Sequence, residues 1–459
     1  MKKILLTAVS AFALTTVAHA NSSTSSITQS NNGNTANVDQ VAAAAGGAST
    51  INQSGTGNNA TIKQSDDGIG TAPIQTSNVQ QSGNNNAATV TQTSNTPFNY
   101  PPYTQNASTV LQAGNGNAAT VTQKDDGQSS TIQQDSSTNV ATVTQGVGVT
   151  DTTYENSSSI YQGGDGSHEA TVSQTGYENS SSISQIGINQ LADVNQSGGF
   201  NTASVSQSGA DNLSYTIQGG NNNQAYTTQS GVDGSTSTIT QSGNSNIASV
   251  NQTDDGSNLS QPPLNNSTIT QSGSNNSASV DQNAQTLILD NTSLINQSGN
   301  GNAASVAQKD DSQYSSVEQT GNGSSASIVQ GQTQYGTDNS FGNASTVSQA
   351  GTAQVAYVEQ INIGSWSDVD QSGSGNHGTV LQSGYSSYSD LDQDGIGNTA
   401  FVNQYGSDNS AVTYQNGDLN ASTILQGGAT NTANVSQTTD GNVSLVDQSG
   451  SGNFATVAQ

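Results

Sequence analysis

The chain has 459 residues, with 5 Lys and Arg against 32 Asp and Glu, for a formal net charge of −27. Only 29% is hydrophobic, 50 residues are Gly and none is Cys. This excludes an ordinary globular enzyme, which is close to half apolar, and also a disulfide-stapled secreted fold and a phosphate-binding nucleic-acid partner.

Met1–Ala20 reads as a secretory signal peptide. Lys2 and Lys3 form a basic start, Ile4–Val17 an apolar stretch, and Ala18-His19-Ala20 a small-x-small cleavage site. Removing 1–20 leaves Lys63, Lys124 and Lys309 as the only cations, with no Arg anywhere.

From Gln29 onward the sequence is a repeat. Gln recurs at 36 positions, mostly 11 residues apart, and without a break from Gln349 to Gln459. Two unit types alternate. One is S-x-I/V-x-Q, as in Ser49–Gln53, and the other is N-x-A-x-V/I-x-Q, as in Asn58–Gln64. An S-G-x-G-N-like turn often joins them. Two units make a 22-residue repeat, so 36/2 gives 18 repeats over 21–459. The alternation slips phase near Gln207 and Gln415. An 11-residue period also suits a right-handed coiled coil, but Gly and Asn beside β-branched residues, and apolar spacing of 2, argue for strands.

Period 2 assigns the faces. Two residues before each landmark Gln stands Val, Ile or Leu in 33 of 36 units, Thr216, Thr227 and Thr413 being the exceptions. Four before it stands Ala or Ser, apart from Gly378, and six before it usually Asn. Charges fall on the opposite parity, as at Asp39, Lys63, Asp193, Asp281, Glu318, Glu359, Asp368, Asp370 and Asp447. The predicted fold is therefore all-β: a β-solenoid of about 18 stacked strand-turn-strand repeats, with two facing parallel sheets of cross-β type.

The inner ladders for self-assembly are sampled by Gln29, Asn34, Gln40, Gln53, Asn58, Gln64, Gln196, Asn201, Gln207, Gln437, Asn442, Gln448, Asn453 and Gln459. The core stack is sampled by Ile51, Ile62, Val194, Val205, Val435, Val446 and Val457. A buried amide costs a few kcal/mol unless paired, and in a ladder each turn supplies its neighbour's partner. Insertions fall near 41–50, 65–76, 93–106, 146–157, 253–265, 283–291 and 331–341, and all six Pro lie between units. Each insertion follows an N-x-A unit, so all are expected along one edge.

Solenoids normally carry capping repeats. Here the repeats begin within a few residues of Asn21 and run to the landmark Gln459. Uncapped turns are expected to template a second copy, and head-to-tail stacking that does not close makes a filament.

The Q-x-G-x-x-N-x-A-x-V-x-Q pattern, clean at Gln196–Gln207 and in phase across almost all of 21–459, resembles the curlin repeat of the major curli subunit. The resemblance implies a secreted functional-amyloid fibre of the biofilm matrix, used in adhesion and cell aggregation on the surface of a Gram-negative bacterium. It also implies a minor nucleator subunit, an outer-membrane secretion channel and an export chaperone as partners. The last repeat has no Lys or Arg, which favours the major over the nucleating subunit.

Other residues give weaker signals. His168 stands at an inward position usually held by Asn, and His377 has outward parity. The Asp66-Asp67-Gly68, Asp125-Asp126-Gly127 and Asp254-Asp255-Gly256 clusters and Asp392-Gln393-Asp394-Gly395 fit turn formation better than calcium binding. Trp366 and 14 Tyr are scattered. No nucleophile is marked with its base, and no cofactor or metal is expected. The alternative to a fibre subunit is a non-polymerising β-solenoid adhesin or a surface- or ice-binding protein. Its support is the outward pairs Thr89/Thr91, Thr120/Thr122 and Thr142/Thr144. The pairs Thr238/Thr240 and Thr268/Thr270 fall in the other unit type and so are expected on the other sheet. A flat binding array should be continuous on one face.

Overall fold

The structure is a computed structural model that describes residues 6–8, 15–18, 23–41, 47–66, 75–94, 105–146, 155–231, 234–254, 264–284, 290–310, 312–331 and 342–459. The described residues form strands β1 (Leu6–Ala8) to β38 (Phe454–Ala458) and no helix, hence none long and apolar enough to cross a membrane. All six Pro, most residues of the insertions, and the Lys pair and His19-Ala20 of the signal peptide lie outside the described residues.

The chain divides into two units, Met1–Ala225 and Tyr226–Gln459. Within each, every strand pairs in parallel with the strand two places on. In the first unit, β4 (Thr35–Val41) pairs with β6 (Asn59–Asp66), and β6 with β8 (Ala87–Ser94). In the second, β35 (Ala421–Gln426) pairs with β37 (Val443–Gln448). Consecutive strands therefore alternate between two sheets, and each unit is a β-solenoid with two strands per turn. Like residues pair with like: Gln64 with Gln92, Ile62 with Val90, Ala60 with Ala88. A one-residue slip would turn every Val outward.

The burial follows the predicted parity. Ile51 and Ile62 are fully buried, as are Val194 and Val205. The three Thr exceptions, Thr216, Thr227 and Thr413, are buried in the same column. The nine outward charges named above are half-buried or exposed. Each side of the lumen thus sees an apolar stack between amide columns.

The turns explain the glycines. In Gln371–Asn376, Gly373 has φ 88° and Gly375 φ 67°. A Cβ on Gly373 would approach the carbonyl oxygen of Gly395, one turn on, to 2.1 Å. Gly is needed there for both handedness and space. The second left-handed site tolerates other residues, such as Asp408 and Leu419.

The insertions correct one expectation. In the first unit they follow even-numbered strands: β4, β6, β8 and β12 (Val140–Gln145). In the second they follow odd-numbered strands: β21 (Ile247–Asp254), β23 (Ser277–Ala284) and β27 (Ser325–Gln330). They do not share one edge type. The reason is the phase slip: β16 (Leu191–Gly199) and β17 (Thr202–Ala210) are both of the N-x-A type, so the unit type changes strand parity between them. The same slip puts Thr238/Thr240 and Thr268/Thr270 on the even-numbered strands β20 (Thr236–Gln241) and β22 (Asn266–Gln271), not on odd ones as expected.

Two short segments of the expected signal peptide also pair. In the full chain β1 lies beside β3 (Thr24–Ser30), with Ala8 opposite Gln29, and β2 (Thr15–Ala18) beside β4, with Ala18 opposite Gln40.

Candidate functional site: the amide ladder

Each landmark Gln stands at or near the end of its strand on the lumen parity, and its amide does two things. Gln53 Nε2 donates to Gln81 Oε1, one turn on, at 2.7 Å, and to the main-chain oxygen of Thr35, on the opposite sheet, at 2.9 Å. Gln196 donates to Gln218 Oε1 at 2.8 Å and to Ser180 O at 3.0 Å. Gln437 donates to Gln459 Oε1 at 2.9 Å and to Ala421 O at 3.1 Å. Gln29, Gln40 and Gln64 donate one turn on in the same way, and Gln207 accepts from Gln185 at 3.0 Å. One amide thus links successive turns and ties the two sheets together.

The ladder has a direction. The partner across the lumen is a carbonyl, which can only accept, so the nitrogen of the amide must face it. That leaves Oε1 to receive the preceding Gln. From Gln29 to Gln207 in the first unit and from Gln229 to Gln448 in the second, every Gln–Gln bond runs from Nε2 toward the C-terminal neighbour.

The Asn column works differently from the expected amide-to-amide ladder. Asn34 Oδ1 accepts from the backbone N–H of Asn58 at 2.9 Å, while its Nδ2 donates to Ser30 O in its own turn and to Gly55 O in the next, both at 2.8 Å. Asn201 repeats all three bonds, and Asn58 repeats the two to the next turn. Asn is one methylene shorter than Gln, so its amide meets turn backbone rather than another amide. The sequence signal was the fixed Asn beside two left-handed turn residues, and the clamp is what it encodes.

At β37 and β38 the arrangement changes. Gln448 is still buried, Val446 is 5% exposed, Val457 half-buried, and Gln459 exposed. Asn442 turns its Nδ2 to its own turn at Thr439 O, and Asn453 turns back to Asn431 Oδ1 at 3.0 Å. At the other end Gln29 and Ile27 are half-buried, and Ala8 and Ala18 opposite Gln29 and Gln40 hold no amide to donate.

His168 takes the Asn role with a ring. It is 1% exposed, its Nε2 lies 2.8 Å from Gly163 O, and its Nδ1 accepts from the Gln190 N–H at 3.3 Å. That fixes the Nε2–H tautomer. Burial lowers its pKa, against the raising effect of its backbone hydrogen bonds. His377 is exposed. Among the described residues no three His, Cys, Asp or Glu are placed to share a metal ion. Asp126 instead accepts from Ser94 Oγ at 2.6 Å within the turns. Trp366 stacks on Tyr388, one turn on, with ring centroids 4.8 Å apart.

The family of the curlin associated repeat matches residues 167–198, 406–438 and 428–459. The chain carries curlin associated repeats. No curated protein matches it. The matched curlin repeats include β15 (Ser180–Ile188), β16 and β34 (Ser410–Asn416) to β38, and the same Gln bonds run on into turns outside the matches, before and after 167–198 and before 406–438. Curlin repeats on a β-solenoid are structural features, and the fold with its ladder fits a curli-type structural subunit.

Proposed function

We propose that the chain is a secreted subunit that stacks head to tail into extracellular curli-like amyloid fibres of the biofilm matrix. The observation that carries this reading is the direction of the Gln ladder. The donor side of the ladder faces β37 and β38, and the acceptor side faces β3 and β4. A second copy therefore fits in one orientation: Gln448 toward its Gln29 and Gln459 toward its Gln40. Like ends would set acceptor against acceptor, with no hydrogen to share, or donor against donor, with no oxygen to receive one. The contact is heterologous and does not close, so it propagates. Exposed strand edges with identical ladders are templates in general.

In this reading residues 1–20 are removed on export, which bares β3 and β4. The chain is the major subunit, and a nucleator, an outer-membrane channel and an export chaperone are its partners. Adhesion and cell aggregation are properties of the fibre.

The test uses purified residues 21–459, incubated without denaturant and followed by electron microscopy and fibre diffraction. Fibres with a meridional reflection near about 4.8 Å are expected, the spacing of paired strands. A chain that stays monomeric at high concentration overturns the assembly reading and leaves a solenoid adhesin.

A further inference from the structure

We propose that the outer face of β8, β10 (Ala118–Lys124) and β12 binds ice, as a flat array of threonines held at lattice spacing. Thr89 pairs with Thr120 and Thr120 with Thr142, while Thr91 pairs with Thr122 and Thr122 with Thr144. Three turns in register therefore carry two columns of Thr, all six exposed or half-buried. The central column continues to Thr61 on one side and Thr171 on the other. The other outward residues on these three strands are Ala87, Ala118 and Val140 at one end and Thr93 and the exposed Lys124 at the other, so between those ends the two Thr columns hold no charge and no aromatic ring.

The geometry selects the ligand. Backbone pairing repeats the hydroxyls about 4.8 Å apart along the stack and roughly 6.7 Å apart, two residues, along each strand. A β-branched side chain is stiff at χ1, so the spacing is held before binding and little rotamer freedom is lost. One hydroxyl on a wet surface contributes little, because water already satisfies it. Only a ligand with the same two-dimensional period engages all six together. An ordered water lattice does so, because a hydroxyl both donates and accepts as water does, and the methyls sit between its rows. A charged polymer or mineral finds no counter-charge within the two Thr columns, where Lys124 at their edge is a single cation and not an array, and a sugar surface finds no ring to stack on. The array is bounded by charge, with Lys63 on β6 and Glu169 on β14 (Glu169–Tyr177). The pairs on β20 and β22 give the second unit a shorter version, Thr238 with Thr268 and Thr240 with Thr270.

The experiment measures partition of the fluorescently labelled full chain into slowly grown ice, against a carrier protein that ice excludes. Wild type is expected in the ice, enriched at least about ten-fold over the carrier, as summed weak contacts allow. Thr120→Lys with Thr122→Lys, at the centre of the array, should cut the enrichment at least about five-fold by holding the lattice off. Lys63 occupies the same outward position as Thr122 two turns away and is exposed, so the fold accommodates the charge. Thr120→Ala with Thr122→Ala is the second variant and should also lower enrichment. Ser182→Lys with Ser184→Lys, on the outer face of β15, should leave it unchanged. Exclusion of the wild type from ice overturns the proposal, as does equal enrichment of the Thr variants. Exclusion from ice together with Thr-dependent retention on microcrystalline cellulose would reassign the face to a crystalline polysaccharide and also overturn it. Fibre formation is scored separately and does not enter the outcome.

Discussion

Gln437 Nε2 donates to Gln459 Oε1 at 2.9 Å, whereas Gln459, exposed, has its own Nε2 only at 3.3 Å from Val443 O. The same amide that is fully engaged one turn earlier is half engaged here. In the proposed fibre, a second copy would supply the oxygen for its other N–H. Gln448→Ala with Gln459→Ala removes two such donors. Each ladder bond contributes about 1 kcal/mol, so elongation from wild-type seeds should slow roughly ten-fold or more. The measurement is the lag time and seeded growth rate of the double variant. An unchanged lag would show that the terminal amides do not guide docking.

An interior Gln behaves differently. Gln196→Ala leaves Gln174 Nε2 with only Ser157 O and takes the amide donor from Gln218 Oε1 and Ser180 O inside the lumen. Loss of about 2–4 kcal/mol of stability is expected, from these lost hydrogen bonds and a cavity. Denaturant titration of the soluble chain reads it as a lowered midpoint. A midpoint unchanged from wild type would mean that water replaces the amide.

The serine column makes the opposite prediction. Ser158, Ser181 and Ser293 each bury an Oγ with no hydrogen-bond partner. Ala fills the same column at Ala203, directly opposite Ser181. Ser158→Ala or Ser293→Ala should therefore raise the denaturation midpoint, each by up to about 1 kcal/mol. A lowered midpoint would show that these hydroxyls are satisfied in solution.

Much of this was legible in the sequence, because a solenoid writes its register as a period. The 11-residue Gln spacing, the Val/Ile two residues earlier and the outward acids such as Asp368 give the strands, faces and pairing without tertiary information. What was not legible depends on counting strands rather than residues. The doubled N-x-A units at β16 and β17 leave the Gln spacing intact but exchange which strands precede insertions. The Asn clamp was also hidden, since side-chain reach, not pattern, sends Asn34 to backbone and Gln40 to an amide. Ladder direction required the carbonyl across the lumen.

His168 gives the chain a pH dependence of known sign. Its folded pKa lies below the ordinary value of 6.5 because burial disfavours the imidazolium. The unfolded chain therefore takes up the proton first as pH falls. Stability is fully present above about 6.5 and is lost as pH drops through the ordinary His range toward the folded value. Protonation would also turn Nδ1, which accepts from the Gln190 N–H, into a donor. His168→Asn restores the residue type of the column and should flatten the pH dependence of the melting temperature between pH 7.5 and 5. Parallel pH profiles for both proteins would refute the assignment.

The acids of β30 (Trp366–Gln371) and β32 (Tyr388–Asp394) act with the opposite sign. Register places Asp368 beside Asp390 and Asp370 beside Asp392. The Asp390 and Asp392 carboxyls are both pushed up, first by burial and then by the facing carboxylates. A raised folded pKa means that the folded state binds protons before the unfolded one does. Stability should rise as pH falls from neutral through these raised values, and the gain is complete below the ordinary carboxylate range. Screening acts the same way on the part that comes from charge repulsion, so added salt should stabilise the second unit at pH 7. Asp390→Asn with Asp392→Asn removes both facing pairs. It should raise the melting temperature at pH 7 in low salt and leave little further gain from salt or mild acid. If the variant melts lower than wild type at pH 7, these carboxylates are held by a partner that offsets their repulsion, and the in-register acid ladder is not a source of strain.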